Sequence, residues 1–257
     1  MTPIIVIPSR LASTRLPGKP LADIHGRPMI VHVLARAWEA DLGPAAVACG
    51  DPEIATAVRA AGGRAVLTPP ELPTGSDRVH AALAELDPDG HHDVVVNLQG
   101  DTPTVSPEQI RAAIAPLEDA IFDIGTVVTP ITSQQEADTP SFVKAACAFE
   151  PGQTIAAVLY FSRTAIPWGD GPRWHHVGIY AFRRAALARF VSLPRSPLEQ
   201  REGLEQLRAL EAGMRIGCSP VPHGLFGVDT PADLERARRL LAPGGTTAWR
   251  RFWKSRD

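Results

Sequence analysis

Cysteine is scarce in this 257-residue chain, and the three present, Cys49, Cys147 and Cys218, stand far apart without a CxxC pair. That spacing excludes a zinc ribbon and a disulfide framework, and the expectation is reduced core residues. No apolar run approaches the roughly 20 residues of a membrane-spanning helix. The chain opens directly on apolar residues, without a basic segment, a long apolar region and a small-residue cleavage site, so a cytoplasmic protein is expected. An excess of one charge is missing too, since 26 Lys+Arg stand against 28 Asp+Glu for a net charge of -2. A nucleic-acid polymer is therefore not an expected partner, and any phosphate recognition must be local. Internal repeats and low-complexity linkers are also absent.

What is present is a chain with 44% hydrophobic residues, long enough to bury a full core. Its first half alternates short apolar runs with helix-period patterns, the signature of an α/β protein with a parallel sheet and crossover helices. Strands are expected at Ile4 to Pro8, Ala45 to Cys49, Arg64 to Leu67 and Asp93 to Gln99. Helices are expected from Pro28, with Ile30, Val33, Leu34, Ala37 and Trp38 on one face, and from Pro52. Ser106-Pro107-Glu108-Gln109 is a capping box that starts another helix. The second half changes to strand-like runs at Gly125 to Ile131, Val143 to Phe149, Ile155 to Phe161 and His176 to Phe182, which points to a smaller mixed or antiparallel extension. A second capping box at Ser196 to Glu199 begins a helix that Gly213 closes, and Thr230-Pro231 opens the last one.

The stretch SRLASTRLPGKPL, residues 9–21, places Arg10, Arg15 and Lys19 directly after an apolar strand. Cations at a strand's carboxyl end suit an anion, although a solvated turn or surface ion pairs would also account for them. The P-loop pattern is absent, because Pro20 follows Gly18-Lys19 and no glycine stands five positions earlier. In VVVNLQGDTP, Asp101 lies in a strand-to-helix loop well before the Ser106 cap. In an open α/β sheet this loop and the cationic one both leave carboxyl ends, where ligands bind, so they are expected to face one pocket. A hard carboxylate opposite a cationic loop suits magnesium on a nucleotide triphosphate. Asp229, in FGVDTPADL, is a matching second carboxylate, with helix capping as its alternative role. Pro73 to Val79 starts a helix near Ser76 with amides free for an acceptor, or is simply a helix start.

His175 and His176 fall on opposite sides of a strand and cannot jointly chelate a metal, whereas His176 and Tyr180 share a face that either lines a pocket or packs. Glu202, Glu205 and Gln206 share a helical surface patch by their spacing, compatible with a polyhydroxylated substrate or with solvent. The basic aromatic tail, residues 244–257, places Trp249, Phe252 and Trp253 on one possible helical face, expected to dock on the body or a neighbouring subunit.

Taken together, IPSRLASTRLPGKPL, RPMIVHVLARA, GSDRV, NLQGD, YFSRTAIPW, HHVGIYAFRR, SPLEQREGLEQLRALEAGMRI and GVDTPADLERAR resemble the 3-deoxy-D-manno-octulosonate (Kdo) cytidylyltransferase family, in order from Ile4 to about Leu241. The resemblance implies a Rossmann-like nucleotidyltransferase core in one domain over residues 1–243. Its nucleotide-binding half is about 1–120 and its acceptor-binding and dimerisation half about 121–243. It implies CTP, Kdo and Mg2+ as substrates and cofactor, a role in lipopolysaccharide synthesis, and a homodimer. By the same resemblance Arg10, Ser13, Arg15, Lys19, Ser76, Asp77 and Arg78 would bind the nucleotide, with Lys19, Asp101 and Asp229 catalytic and the two aspartates holding the metal. Gln99, Arg163, His176, Tyr180, Glu205 and Gln206 would line the Kdo pocket, with Arg163 facing the sugar carboxylate. Two departures stand out: Thr102 replaces a glutamate common after NxQGD, and Cys49-Gly50-Asp51 replaces the usual threonine and aspartate. Other acidic acceptors, such as amino-Kdo, other sugar acids or phosphonates, and a non-catalytic nucleotide-binding protein remain the alternatives.

Overall fold

A computed structural model describes residues 1–242; the tail at 244–257, with Trp249, Phe252 and Trp253, lies outside the described residues. The chain divides into two compact units. Among the described residues, the first comprises Met1–His92, Asn97–Ile110 and 225–242; the second comprises Asp93–Val96 and Arg111–Gly224.

The first unit is built on β1 (Pro3–Ser9), the short hairpin β2 (Asp23–Ile24) and β3 (Arg27–Pro28), α1 (Met29–Glu39), β4 (Ala45–Cys49), α2 (Pro52–Ala60), β5 (Arg64–Leu67) and α3 (Gly75–Leu86). Strand β1 runs parallel to β4, and β4 runs parallel to β5. Ile4, Ile5, Val6 and Ile7 are all buried, as a near-continuous apolar run requires when helices cover both faces of a parallel sheet. β6 (Val94–Asn97) and α4 (Pro107–Ile114) follow in the chain, each with residues in both units, and the capping box at Ser106 and Gln109 closes with bonds of 2.9 and 3.2 Å.

The second unit carries β7 (Ile124–Pro130), α5 (Gln134–Asp138), β8 (Lys144–Ala146), β9 (Ala156–Val158), β10 (Tyr160–Ser162), β11 (Trp174–Arg183), α6 (Arg184–Ser192), α7 (Pro197–Glu202), α8 (Leu207–Glu211) and β12 (Ile216–Pro220). β11 is antiparallel to β7 and β8, while β12 is parallel to β7 and antiparallel to β9. An α/β fold with parallel strands and antiparallel additions is therefore what the chain forms. The helix α9 (Pro231–Leu240) belongs to the first unit, and its Leu234 and Ala237, with Leu241, are buried as their spacing predicts.

Several local expectations are corrected. The single strand expected at Ile155 to Phe161 is two strands with different partners: β9 pairs with β12 and β10 pairs with β8, and the exposed Leu159 marks the change. The long helix expected from Ser196 to Gly213 is broken at Gly203, whose φ of 64° lies in the left-handed region that ends a helix. Glu202 thus closes α7 while Glu205 and Gln206 lie in the turn before α8, so no continuous helical patch joins them. Within the cationic loop, where no helix is expected, Lys19–Leu21 forms one 3-10 turn, with Pro20 at a position that needs no N–H partner. Cys49, Cys147 and Cys218 are buried free thiols, as expected.

Candidate functional site

The first unit holds a polar cleft of about 290 Å3 at the carboxyl end of β1, near the lower end of the usual size of small-molecule sites. Ser9, Arg10, Ser13 and Lys19 line it from the cationic loop, and Gln99 and Asp101 line it from the loop after β6. The two loops expected to face one pocket do so. Gly100 permits the close approach, since a Cβ there would stand 2.7 Å from the Pro8 carbonyl oxygen.

Asp101 is no helix cap. Its Oδ2 accepts a hydrogen bond of 2.8 Å from Lys19 Nζ, and the same ammonium donates to Asp229 Oδ1 at 3.0 Å. Asp229 is likewise free of capping duty, because Thr230 caps α9 in a capping box with Asp233. The Arg15 guanidinium takes the other Asp229 oxygen at 3.0 Å. Burial acts to lower the Lys19 pKa, but Asp101 and then Asp229 outweigh it and hold the ammonium above its ordinary range.

Asp101 and Asp229 stand far apart in sequence, and packing brings them together. Ile24, Met29, Val228, Leu234, Ala237 and Leu241 form an apolar cluster that seats α9 on the β2–β3 hairpin. The Val228 N–H then donates to the Asp101 carbonyl at 2.9 Å, which sets the neighbouring Asp229 beside Asp101.

The start of α3 is one residue earlier than expected. Thr74 is its N-cap, and Thr74 and Asp77 exchange the two bonds of a capping box. Asp77 is thereby occupied with the helix start, while the buried Ser76 accepts a hydrogen bond of 3.3 Å from Asn97. Arg78 borders the cleft, but its guanidinium donates to Thr68 Oγ1 and to the Pro69 and Pro70 carbonyls. Thr74 and Gly75 border the cleft instead of Ser76 and Asp77.

Two further residues shape the cleft without having been singled out for it. Asp51 precedes α2 and reads as its cap, yet its carboxylate makes no cap bond; it accepts the Leu11 N–H at 2.7 Å and so ties down the cationic loop. Ser9 is buried, and its hydroxyl has no hydrogen-bond partner among the described residues. Both sit beside residues whose roles were legible, but only the folded backbone reveals their direction. Thr102 donates to the Gln99 carbonyl at 2.8 Å and closes the turn that carries Asp101.

The other residues expected on the acceptor side belong to the second unit. His176 is buried, lies 3.0 Å from Thr126 Oγ1, and packs against Phe161 and Tyr180. Burial first, then His175, lowers its pKa to about 3, so it is neutral near pH 7. Burial, followed by the Glu205 carboxylate, pushes the Tyr180 phenol up. Gln206 is buried, while Arg163 is exposed and donates its guanidinium to the Glu202, Pro140 and Gly203 carbonyls. Glu202, in turn, accepts from the Arg163 N–H and the Ser162 hydroxyl.

A parallel α/β core whose strand ends carry cations opposite paired carboxylates defines the nucleotidyltransferase class, and a family model described as cytidylyltransferase matches residues 4–216. Curated relatives make the class narrower. A 3-deoxy-manno-octulosonate cytidylyltransferase of Paramagnetospirillum magneticum is 57% identical, with 94% of this chain and 98% of the relative covered. One of Methylobacterium radiotolerans is 60% identical over 93% of this chain and 96% of its own. A solved structure of a CMP:2-keto-3-deoxy-manno-octonic acid synthetase complexed with CTP superposes with a TM-score of 0.86 at 38% identity, covering 94% of this chain and 99% of the other. The chain belongs to the 3-deoxy-manno-octulosonate cytidylyltransferase family.

Proposed function

We propose that the protein activates Kdo, converting CTP and Kdo to CMP-Kdo and pyrophosphate for lipopolysaccharide synthesis. The observation that carries this reading is the single ammonium of Lys19 shared by Asp101 and Asp229 at a cleft bordered by Arg10 and Ser13, in a chain of this family. The anomeric hydroxyl of Kdo attacks the α-phosphorus in line and pyrophosphate leaves, with no covalent enzyme intermediate. Arg10, Arg15 and Lys19 supply positive charge to the triphosphate, and the tethering of the cationic loop by Asp51 limits the reorganisation this requires.

The metal expectation fits the residues present. Asp101 and Asp229 offer hard oxygen donors that already converge on one cation, and magnesium commonly takes one or two protein carboxylates together with phosphate oxygens. No cluster of three or more His, Cys, Asp or Glu suited to a metal occurs among the described residues. Bound there, magnesium would stabilise the charge developing on the phosphoryl oxygens.

On the acceptor side we assign Gln99, Arg163, His176, Tyr180, Glu205 and Gln206. Their hydrogen-bonding groups suit a polyhydroxylated acid, and a buried neutral imidazole holds hydroxyls without adding charge. The family resemblance also implies a homodimer in the cytoplasm, which sedimentation and cell fractionation check; among the described residues no helix is long and apolar enough to cross a membrane.

The deciding experiment measures pyrophosphate release with CTP and Mg2+ in the presence of Kdo, a sialic acid or no acceptor. Release with Kdo alone is expected. Equal release with the sialic acid, or none with Kdo despite bound CTP, overturns the acceptor assignment.

A further inference from the structure

We propose that Lys19 is an internal stand-in for the divalent cation: its ammonium fills the place between Asp101 and Asp229, and the metal enters only when an anion in the cleft draws the lysine away. This rests on the metal reading given above.

The geometry makes the two occupants exclusive. Lys19 Nζ lies 2.8 Å from Asp101 Oδ2 and 3.0 Å from Asp229 Oδ1. Magnesium instead draws its oxygens to about 2.0–2.1 Å, so the carboxylates cannot close on the ion with the ammonium between them. Charge acts in the same direction. Two carboxylates already face the two cations Lys19 and Arg15, and a divalent ion added to that neutral group would gain no net attraction. Lys19 is the stronger obstacle, because its side chain is 14% exposed against 66% for Arg15, and water screens the arginine more.

The release has a destination. Lys19 lines the same cleft as Arg10 and Ser13, and its backbone is fixed by the 3-10 turn whose Pro20 is buried. Only the flexible stem has to swing for the ammonium to meet a phosphate oxygen instead of a carboxylate. The triphosphate then acts twice, supplying oxygens to the metal and removing its competitor from the aspartates. Metal and nucleotide binding become interdependent, and the coupling is reciprocal because each ligand favours the same position of Lys19.

The test uses Mn2+ without nucleotide, reading free Mn2+ by electron paramagnetic resonance. Lys19→Gln removes the internal cation, and the variant is expected to bind Mn2+ about tenfold or more tighter than the wild type, within the usual range of such couplings. It is also expected to melt at a lower temperature in EDTA and to recover on addition of Mn2+, since unneutralised carboxylates then face each other. Adding Asp101→Asn to Lys19→Gln should abolish the gain. Unchanged or weaker Mn2+ binding by Lys19→Gln overturns the stand-in while leaving the metal reading intact, provided that Asp101→Asn weakens binding in the wild-type background. Tighter binding that survives Asp101→Asn places the ion elsewhere and overturns both.

Discussion

Lys19 with Asp101 and Asp229 in the first unit, and Glu199 with Arg208 in the second, are both ionic clusters, but the second is closed off by burial except where the exposed Arg195 meets Glu199 Oε1 at 3.3 Å. The carboxylates of the first are 32% and 40% exposed, whereas Glu199 and Arg208 are 4% and 6% exposed. Glu199 also accepts the Ser196 N–H of its capping box, and Arg208 meets it through two bonds of 2.8 and 2.7 Å. A sealed pair of this kind cannot change partners without stranding a buried charge. A cluster that water reaches exchanges its partners cheaply, as a site that binds and releases charged ligands requires. The second unit uses its ions to hold α7 and α8 in place, and the first keeps its ions available.

The largest effect should come from breaking the sealed pair. Glu199→Ala removes the buried carboxylate that Arg208 meets through two bonds and is expected to cost about 3–5 kcal/mol in urea unfolding. Asp101→Ala tests the open cluster: stability should change less, while kcat for pyrophosphate release falls by about 10²–10³-fold, the scale of losing one group that stabilises charge in a transition state. Full activity with metal still required would remove Asp101 from the metal site.

Acid sharpens the contrast through the second unit's histidines. His176 and His175 have pKa values lowered to about 3 and about 4, by burial first in each case. The unfolded chain takes up these protons as pH falls through about 6.5 while the folded chain does not, so stability declines from there and levels off only below the folded values. Between pH 7 and pH 5 the loss should be about 1–2 kcal/mol per histidine in urea unfolding, and His176→Asn should remove its share. The smallest effect is expected from Thr74→Ala, which deletes the α3 cap beside the cleft and should lower stability by about 1 kcal/mol.

Much of the first unit was legible because its signals are local. The apolar runs of β1, β4 and β5, the prolines at the start of α2 and α9, and the capping box at Ser106 act within a few residues of where they stand. Asp101 was legible as a loop carboxylate for the same reason. The second unit was harder. β12 is a short segment that itself contains Gly217 and Pro220 and becomes a strand by pairing with β7 and β9. The break at Gly203 turns an apparently continuous helical stripe into two helices, and the resulting placement of Glu205 and Gln206 could not follow from spacing.

Taken alone, the sequence determined the α/β alternation, the positions of most caps, the cationic loop and the family, because periodicity, proline geometry and motif order are properties of neighbouring residues. Tertiary structure decided which distant charges meet. Asp229 reaches Lys19, 210 positions away, only because the apolar cluster under α9 seats that helix on the β2–β3 hairpin. Asp51 serves the cationic loop instead of its own helix for a similar reason: the Leu11 N–H is brought within 2.7 Å by the β1–β4 pairing. Hydrophobic burial is non-directional and acts over the whole chain, so it sets such meetings, while the short reach of hydrogen bonds decides what they do.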